Sequence, residues 1–430
     1  MAELADLGVV EAADMLSRGD ASSRELVAAC LARIDERDPV INAWVRVYAE
    51  DALAAAALAD ERRTRGDAGP LGGVPIALKD IYAVAGKPLT ASSSVLADVP
   101  ARDCDAWARL KAAGMVLLGH VHTHEFAAGG TTDQVGNPWD VERSAGGSSG
   151  GSAAALASRT TPAATGTDTA GSLRIPSAMC GTSTIKPTRG LVSIRGIVPL
   201  APSLDHAGPM ARTVVDCEAL LAALAGAEPP RERRELRRVA LSPRIGGLDP
   251  DVADGLERAV SQLDVVAVPP PEVVLDLGLA FLDVATAEML VYHRRFDDRR
   301  ELYQPSTRGF LEYAEQRAMT AEEYAAAQIR REEDRAVWLD WFDEHRVDAI
   351  VEPTVPIVAR PRGAGYDAPF TDDAEISLTH YWNWTGFPVV ALPAGVGARS
   401  GLPVGVSLVG RPGADWDLLA AGAALQERLG

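Results

Sequence analysis

The sequence predicts an α/β fold, because strand-like and helix-like segments alternate in its first half. Residues 74–78 are apolar and have the pattern of a strand that enters a turn. Residues 104–113 then have the composition of a helix, and residues 115–121 that of a buried strand. Such alternation is typical of a sheet with helices packed on it.

Further helices are predicted on both sides of these segments. Ser22 and Glu25 have the spacing of a capping box, in which two side chains satisfy the first backbone N–H groups of a helix. Residues 48–63 are rich in alanine, which has the highest helix propensity. Residues 321–345 have a long amphipathic pattern, with Ile329 among the expected core contacts.

Composition and charge narrow the classes of function. The formal net charge of −18 disfavours direct binding to nucleic acid, because phosphate groups would be repelled. No apolar run approaches the roughly 20 residues that a membrane helix needs, and the N-terminus lacks the features of a secretory signal. The four scattered cysteines have neither disulfide nor zinc spacing, so we expect a cytoplasmic protein.

A glycine- and serine-rich loop over residues 146–152 precedes an alanine-rich stretch suited to a helix. Such a loop can be a flexible turn, or it can bind phosphate at a helix N-terminus. A phosphate-binding loop of the Gly-x-x-x-x-Gly-Lys type would need a lysine after the second glycine, and that lysine is absent. By itself the loop leaves both a structural and a catalytic role open.

Two other segments favour a catalytic role. Ser172 follows the small residues Ala170 and Gly171, and small side chains let backbone N–H groups converge beside a nucleophile, as an oxyanion hole requires. Lys79 directly follows the apolar segment 74–78, and loss of solvent at that position would favour the neutral form of its amine. The sequence thus contains a candidate nucleophile and a candidate base.

Together these motifs resemble the amidase-signature family. Ser148 and Ser172 are 172 − 148 = 24 positions apart, the spacing of that family's cis-serine and nucleophile. The resemblance is strongest over residues 71–216 and weak within residues 226–345. We expect one domain spanning residues 1–430, with residues 226–345 as its variable region. It implies the amidase-signature fold, an α/β architecture with a large mixed central sheet covered by helices on both faces.

The resemblance also implies a Ser–cis-Ser–Lys triad that needs no cofactor or metal. Ser172 would attack the carbonyl carbon, Ser148 would relay the proton, and Lys79 would be the terminal base. The peptide bond before Ser148 would be cis. The implied oxyanion donors are the backbone N–H groups of Thr169, Ala170 and Gly171. Ala170 stands where most members have glycine.

Three neighbouring residues are expected to support the triad. Ser149 is interpreted as a supporting hydrogen-bond donor, or equally as a simple helix cap. Asp168 and Arg174 are expected to form a structural ion pair beneath the loop that carries the nucleophile.

The substrate is expected to be a small-molecule amide or carbamate held between two segments. The segments contribute Phe126, Ala127, Ala128 and Gly129 to one wall, and Trp382 and Trp384 to the other. The tryptophans could equally be core residues. If they line the pocket, its walls carry no basic residue, and it should favour a neutral apolar or aryl substrate over glutamine, whose charged α-groups need ionic partners. This hypothesis makes the chain a urethanase candidate.

Two alternative functions remain open. The glutamine-hydrolysing subunits of tRNA-dependent amidotransferases share the signature, although they usually carry glutamine where this chain has Ile175. His120, His122 and His124 alternate, so on a strand their imidazoles would face one side and could bind a metal, as in metal-dependent amidohydrolases. Enzymes of the amidase-signature family are often dimers, so a homodimer is also expected.

Overall fold

The computed structural model describes residues 2–273, 277–363 and 374–430. Within these residues the chain forms a large mixed sheet of eleven strands and a separate pair of strands, which confirms the predicted α/β class. The strands are β1 (Trp44–Val47), β2 (Pro75–Lys79), β3 (Val116–Val121), β4 (Gly136–Asn137), β5 (Asp140–Ser144), β6 (Ala163–Asp168), β7 (Ser183–Lys186), β8 (His206–Ala211), β9 (Val239–Leu241), β10 (Val265–Val266), β11 (Ala349–Pro353), β12 (Val389–Val396) and β13 (Pro403–Gly410).

Helices lie between the strands and at both ends of the chain, and none that the structure describes is long and apolar enough to cross a membrane. They are α1 (Ala2–Ala5), α2 (Val9–Arg18), α3 (Ser23–Ile41), α4 (Ala49–Thr64), α5 (Asp105–Ala112), α6 (Gly150–Ala157), α7 (Arg174–Cys180), α8 (Val214–Ala225), α9 (Pro250–Val260), α10 (Ala280–His293), α11 (Pro305–Arg317), α12 (Ala321–Glu344), α13 (His380–Thr385) and α14 (Asp415–Leu429).

The topology of the sheet brings the ends of three strands together. The strand order is β1-β3-β2-β6-β8-β7-β12-β13-β11-β9-β10, and β2 runs parallel to both β3 and β6. Lys79, Val121 and Asp168 are the last residues of these three strands. Because parallel strands end at the same edge of a sheet, the segments that follow them meet there.

Successive residues of the central strands enter two different cores. Val389 packs in a cluster with Trp338 and Trp382, whereas Val390 packs in a second cluster with Leu418 of α14. Because side chains of a strand alternate between the faces of its sheet, both faces are covered. The predicted mixed sheet with helices on both faces is therefore confirmed.

The helices predicted from local patterns begin and end close to the expected residues. The capping box of Ser22 and Glu25 opens α3, and α4 and α12 begin and end within two residues of the predicted segments. Ile329 was expected in the core, but 61% of its surface is exposed. That prediction is wrong because the buried face of α12 is set by larger aromatic residues, such as Trp338 and Phe342.

Candidate active site

The glycine- and serine-rich loop delivers two serines to the edge where β2 and β6 end. The peptide bond between Gly147 and Ser148 is cis, as the resemblance implies, and α6 begins at Gly150. A side chain at position 147 would overlap the backbone of Thr131, so only glycine fits there. Close packing of this kind places the two serines that follow against the end of β2.

Three hydroxyl groups surround the amine of Lys79. Its Nζ lies 2.8 Å from Ser148 Oγ, 2.9 Å from Ser149 Oγ and 2.9 Å from Thr167 Oγ1. Ser149 was expected to donate a hydrogen bond in support of the triad or to cap a helix. Its Oγ accepts from Lys79 and donates to the carbonyl of Thr167 at 3.3 Å, and Ser149 is also the N-cap residue of α6, without a side-chain capping bond. Thr167 was not predicted, although its place near the end of β6, the strand beside β2, is the feature that could have indicated it.

The environment of Lys79 favours the neutral amine. Its side chain is completely buried, and burial lowers its pKa to about 7, against the opposing effect of Asp168 and Asp205. A neutral amine has two N–H donors and one lone pair. Lys79 can therefore donate to Ser149 and Thr167 while accepting the proton of Ser148, which is the arrangement that a base requires.

Ser172 lies in the turn that connects β6 to α7. Only 6% of Ser172 is exposed, and that part faces a large cavity. Its carbonyl accepts the N–H of Ser149 at 3.3 Å, which ties the two serine-bearing segments together. Within the described residues, the N–H groups of Thr169, Ala170, Gly171 and Ser172 have no acceptor and are available to a ligand.

A buried ion pair supports this turn from below. Arg174 donates to both carboxylate oxygens of Asp168 at 2.9 Å, which confirms the predicted pair. Asn383 completes the network, because it donates to Asp168 Oδ1 at 2.8 Å and accepts from Arg174 at 2.7 Å. Asp168 also accepts the N–H of Leu173. The network holds the two ends of the turn, residues 168 and 174, at a fixed separation.

The cavity in front of Ser172 has a volume of about 700 Å³. Ala127, Ala128 and Gly129 lie on one side of it, at the positions expected for a pocket wall. A second, mainly apolar wall comes from α10 and α11, with Phe281, Leu282, Met289 and Phe310. Sequence reasoning missed this second wall because α10 and α11 lie in the region that matches the family weakly.

The aromatic residues that were expected in the pocket lie elsewhere. Trp382 and Trp384 are fully buried and do not line the cavity, and their indole N–H groups donate to Glu352 and Asp334. Phe126 is also buried, against the rings of α10 and of the residues that follow it. The expectation that these three residues form pocket walls is corrected: their large apolar surfaces are used in the core.

The cavity also contains charged side chains, contrary to the expectation of a pocket without basic residues. Arg244, Arg360 and Glu375 line it. Arg244 donates to the backbone carbonyls of Ser377 and Leu378, and Arg360 pairs with Glu375 at 3.3 Å. Arg360 and Glu375 thus form an ion pair, whereas the guanidinium of Arg244 is hydrogen-bonded to neutral carbonyl groups. They were missed because none of the three residues lies within either predicted wall.

The three histidines do not share a face as the metal hypothesis requires. β3 ends at Val121, so only His120 lies on the strand. His120 bonds Tyr48 and Tyr82, His122 lies near Ser92, and His124 lies between Thr131 and Ser306. Burial lowers the pKa of both His122 and His124 to about 4. Among the described residues, no group of three or more metal-binding side chains converges.

We therefore expect chelation to leave the rate of amide hydrolysis unchanged. Each imidazole has its own hydrogen-bond partners, so none depends on a metal for its position. The measurement is activity after dialysis against EDTA, with metal content determined by mass spectrometry. A loss of activity that added zinc restores would revive the metal hypothesis.

Comparison with known proteins shows which family the chain resembles over its whole length. The sequence model of the Amidase family matches residues 25–419. The glutamyl-tRNA(Gln) amidotransferase A-type subunit of Roseiflexus castenholzii is 38% identical over 475 aligned positions, which cover 99% of this chain and 96% of the relative.

Solved structures extend the similarity to the fold. An amidase crystal structure is 32% identical with a TM-score of 0.88, covering 99% of this chain and 100% of that one. The structure of the 6-aminohexanoate cyclic dimer hydrolase complexed with substrate is 27% identical, with a TM-score of 0.88. The similarity covers 99% of this chain and 98% of that one. Family model, relatives and fold agree, and the chain belongs to the amidase-signature family of amide hydrolases.

Proposed function

We propose that this chain hydrolyses an amide C–N bond in two steps, through an ester formed on Ser172. The observation that carries the proposal is the buried amine of Lys79, 2.8 Å from Ser148 Oγ, with its pKa lowered to about 7. A lysine in water has a pKa of about 10.4 and is protonated at neutral pH, so it cannot accept a proton there. Burial removes this obstacle.

In the first step Ser172 Oγ attacks the carbonyl carbon of the substrate. Its proton passes to Ser148 Oγ while the proton of Ser148 passes to Lys79 Nζ, so Lys79 becomes an ammonium group. The carbonyl electron pair moves onto oxygen. The N–H groups of residues 169–172 receive that negative charge, and each donor of this kind is worth about 2.7–4 kcal/mol of barrier.

In the second half of this step the C–N bond breaks. Lys79 returns its proton through Ser148 to the leaving nitrogen, which departs as a neutral amine or ammonia. A water molecule then attacks the ester carbon, with Lys79 again accepting a proton through Ser148. The bond between the acyl carbon and Ser172 Oγ then breaks, and Lys79 returns its proton through Ser148 to Ser172 Oγ. The carboxylic acid product leaves, and both the hydroxyl of Ser172 and the neutral amine of Lys79 are restored.

The cavity supports a neutral, largely apolar substrate. The side formed by α10 and α11 is apolar, and a volume of about 700 Å³ suits a molecule larger than a free amino acid. Both arginines of the lining already have protein partners. An amino-acid substrate would have to compete with those partners for its charged groups. Aryl amides and aryl carbamates fit this description.

Glutamine is the second candidate, and the curated relatives favour it over an apolar amide. They are named as amidotransferase A subunits, and their similarity covers nearly the whole chain. Arg244, Arg360 and Glu375 provide charges of both signs for an α-carboxylate and an α-ammonium group. Under this hypothesis the chain would work with partner subunits. Ile175, where such subunits usually carry glutamine, is the residue in conflict with it.

A direct competition between the two substrate classes tests the proposal. We expect an anilide or aryl carbamate to exceed glutamine in kcat/KM by at least about a hundredfold, because only the apolar group uses the wall formed by α10 and α11. The control is Leu282→Ala, which removes part of that wall and should lower kcat/KM for the anilide without lowering it for glutamine. Equal rates, or a preference for glutamine, would favour the amidotransferase function.

A further inference from the structure

Thr379 is buried directly before α13 and makes contact with the nucleophile turn. Leu378 and His380, its neighbours in the chain, line the cavity, but Thr379 does not. Its side chain therefore points away from the substrate space. The Oγ1 of Thr379 donates a hydrogen bond to the carbonyl oxygen of Ala170, one residue before Gly171. The carbonyl oxygen of Ile376, at 3.2 Å, is a second and longer acceptor for the same hydroxyl.

The side chain of Thr379 also explains why residue 171 is glycine. Gly171 has a φ of +135°, and a side chain there would overlap Thr379 Oγ1. Only glycine can adopt this positive φ and also fit against Thr379 without overlap. The backbone of Thr379 is itself held, because Arg174 donates to its carbonyl at 3.0 Å. Arg174 thus connects Thr379 to the ion pair with Asp168.

The direction of one peptide group follows from these contacts. The bond between Ala170 and Gly171 is trans, so its carbonyl and its N–H point in opposite directions. Because the carbonyl of Ala170 points towards Thr379, the N–H of Gly171 points away from Thr379. That N–H has no acceptor among the described residues, and Ala170 and Ser172, on either side of it, line the cavity.

We propose that Thr379 is a positioning residue for the oxyanion hole: its hydroxyl fixes the Ala170–Gly171 peptide so that the Gly171 N–H faces the substrate carbonyl oxygen. The inference rests on the proposed reaction at Ser172. A peptide that is held in place before reaction stabilises the developing charge without having to reorganise. Without the hydroxyl, the peptide can rotate and the donor loses its direction.

Thr379→Val tests this role, because valine keeps the shape of threonine but lacks the hydroxyl. We expect kcat to fall by about thirtyfold with KM unchanged, since the donor acts on the charged transition state rather than on the bound amide. Labelling of Ser172 by a fluorophosphonate should slow to a similar extent. Thr379→Ser keeps the hydroxyl and should stay within about threefold of the wild-type kcat. Thr379→Ala serves in place of valine if the valine variant is insoluble.

Thr385→Val is the matched control. Thr385 is also buried, and its hydroxyl donates to the carbonyl of Tyr381 at 3.2 Å within α13, without reaching the turn. Loss of that hydrogen bond should leave kcat unchanged. Wild-type kcat in the Thr379→Val variant, or an equal loss in Thr379→Ser or Thr385→Val, would overturn the inference. If Ser172→Ala remained active, the proposed reaction itself would be wrong instead.

Discussion

Replacing Ser172 with alanine is expected to lower kcat by at least about ten-thousandfold, because the proposed reaction requires the Oγ of Ser172 to form the ester with the substrate. Of the three residues of the proposed triad, only Ser172 lines the cavity among the described residues, and its side chain makes no hydrogen bond to them on which folding would depend. The measurement is single-turnover hydrolysis of an anilide, together with circular dichroism and thermal unfolding to show that the variant is folded.

Ser177→Ala provides the matched control for this variant. Ser177 is a buried serine in α7, five residues after Ser172, and its hydroxyl has no partner within the described residues. Its removal should leave the rate unchanged. Activity of Ser172→Ala above about a thousandth of wild type would show that the nucleophile has been assigned incorrectly.

Replacing Lys79 is expected to lower kcat by about a thousandfold or more, because the serines lose their proton acceptor. Lys79→Met keeps the length of the side chain but cannot accept a proton. Lys79→Arg keeps the positive charge, and it should not restore activity because a guanidinium stays protonated. An active arginine variant would exclude Lys79 as the base. The measurement is kcat for both variants and for the exposed control Lys111→Ala.

The pH dependence of wild type follows from the same residue. Burial lowers the pKa of Lys79 to about 7, so the amine is protonated and inactive below that pH and neutral above it. The rate should rise as the pH increases through about 7 and reach a plateau on the alkaline side. A rate that is constant from pH 5 to about 9 would contradict the role of Lys79 as a base.

The sequence predicts those parts of the fold that depend on local pattern. Alternation of apolar segments and helices indicates the α/β class, and the capping box of Ser22 and Glu25 marks the start of α3. The pairing of distant segments has no local signal. Nothing within residues 403–410 indicates that β13 lies between β11 and β12, because such contacts depend on the topology of the whole sheet.

In the candidate site, too, residues within sequence motifs could be predicted, whereas residues brought in from distant parts of the chain could not. Lys79, Ser148 and Ser172 were proposed from motifs, since a close approach of backbone and side chains restricts the residues around them. Thr379 and the wall formed by α10 are more than a hundred positions from Ser172 and carry no motif. An aromatic-rich segment such as residues 381–387 does not distinguish a pocket wall from a core, because both use large apolar surfaces.

The most direct test of the proposed mechanism is to locate the covalent adduct that forms on the wild-type protein. After incubation with a fluorophosphonate, peptide mapping by mass spectrometry should find one modified residue, Ser172. Labelling should become faster as the pH rises through about 7, following deprotonation of Lys79. Modification of another residue, or labelling of Ser172 that is unchanged in the Lys79→Met variant, would contradict the proposed Ser172–Ser148–Lys79 mechanism.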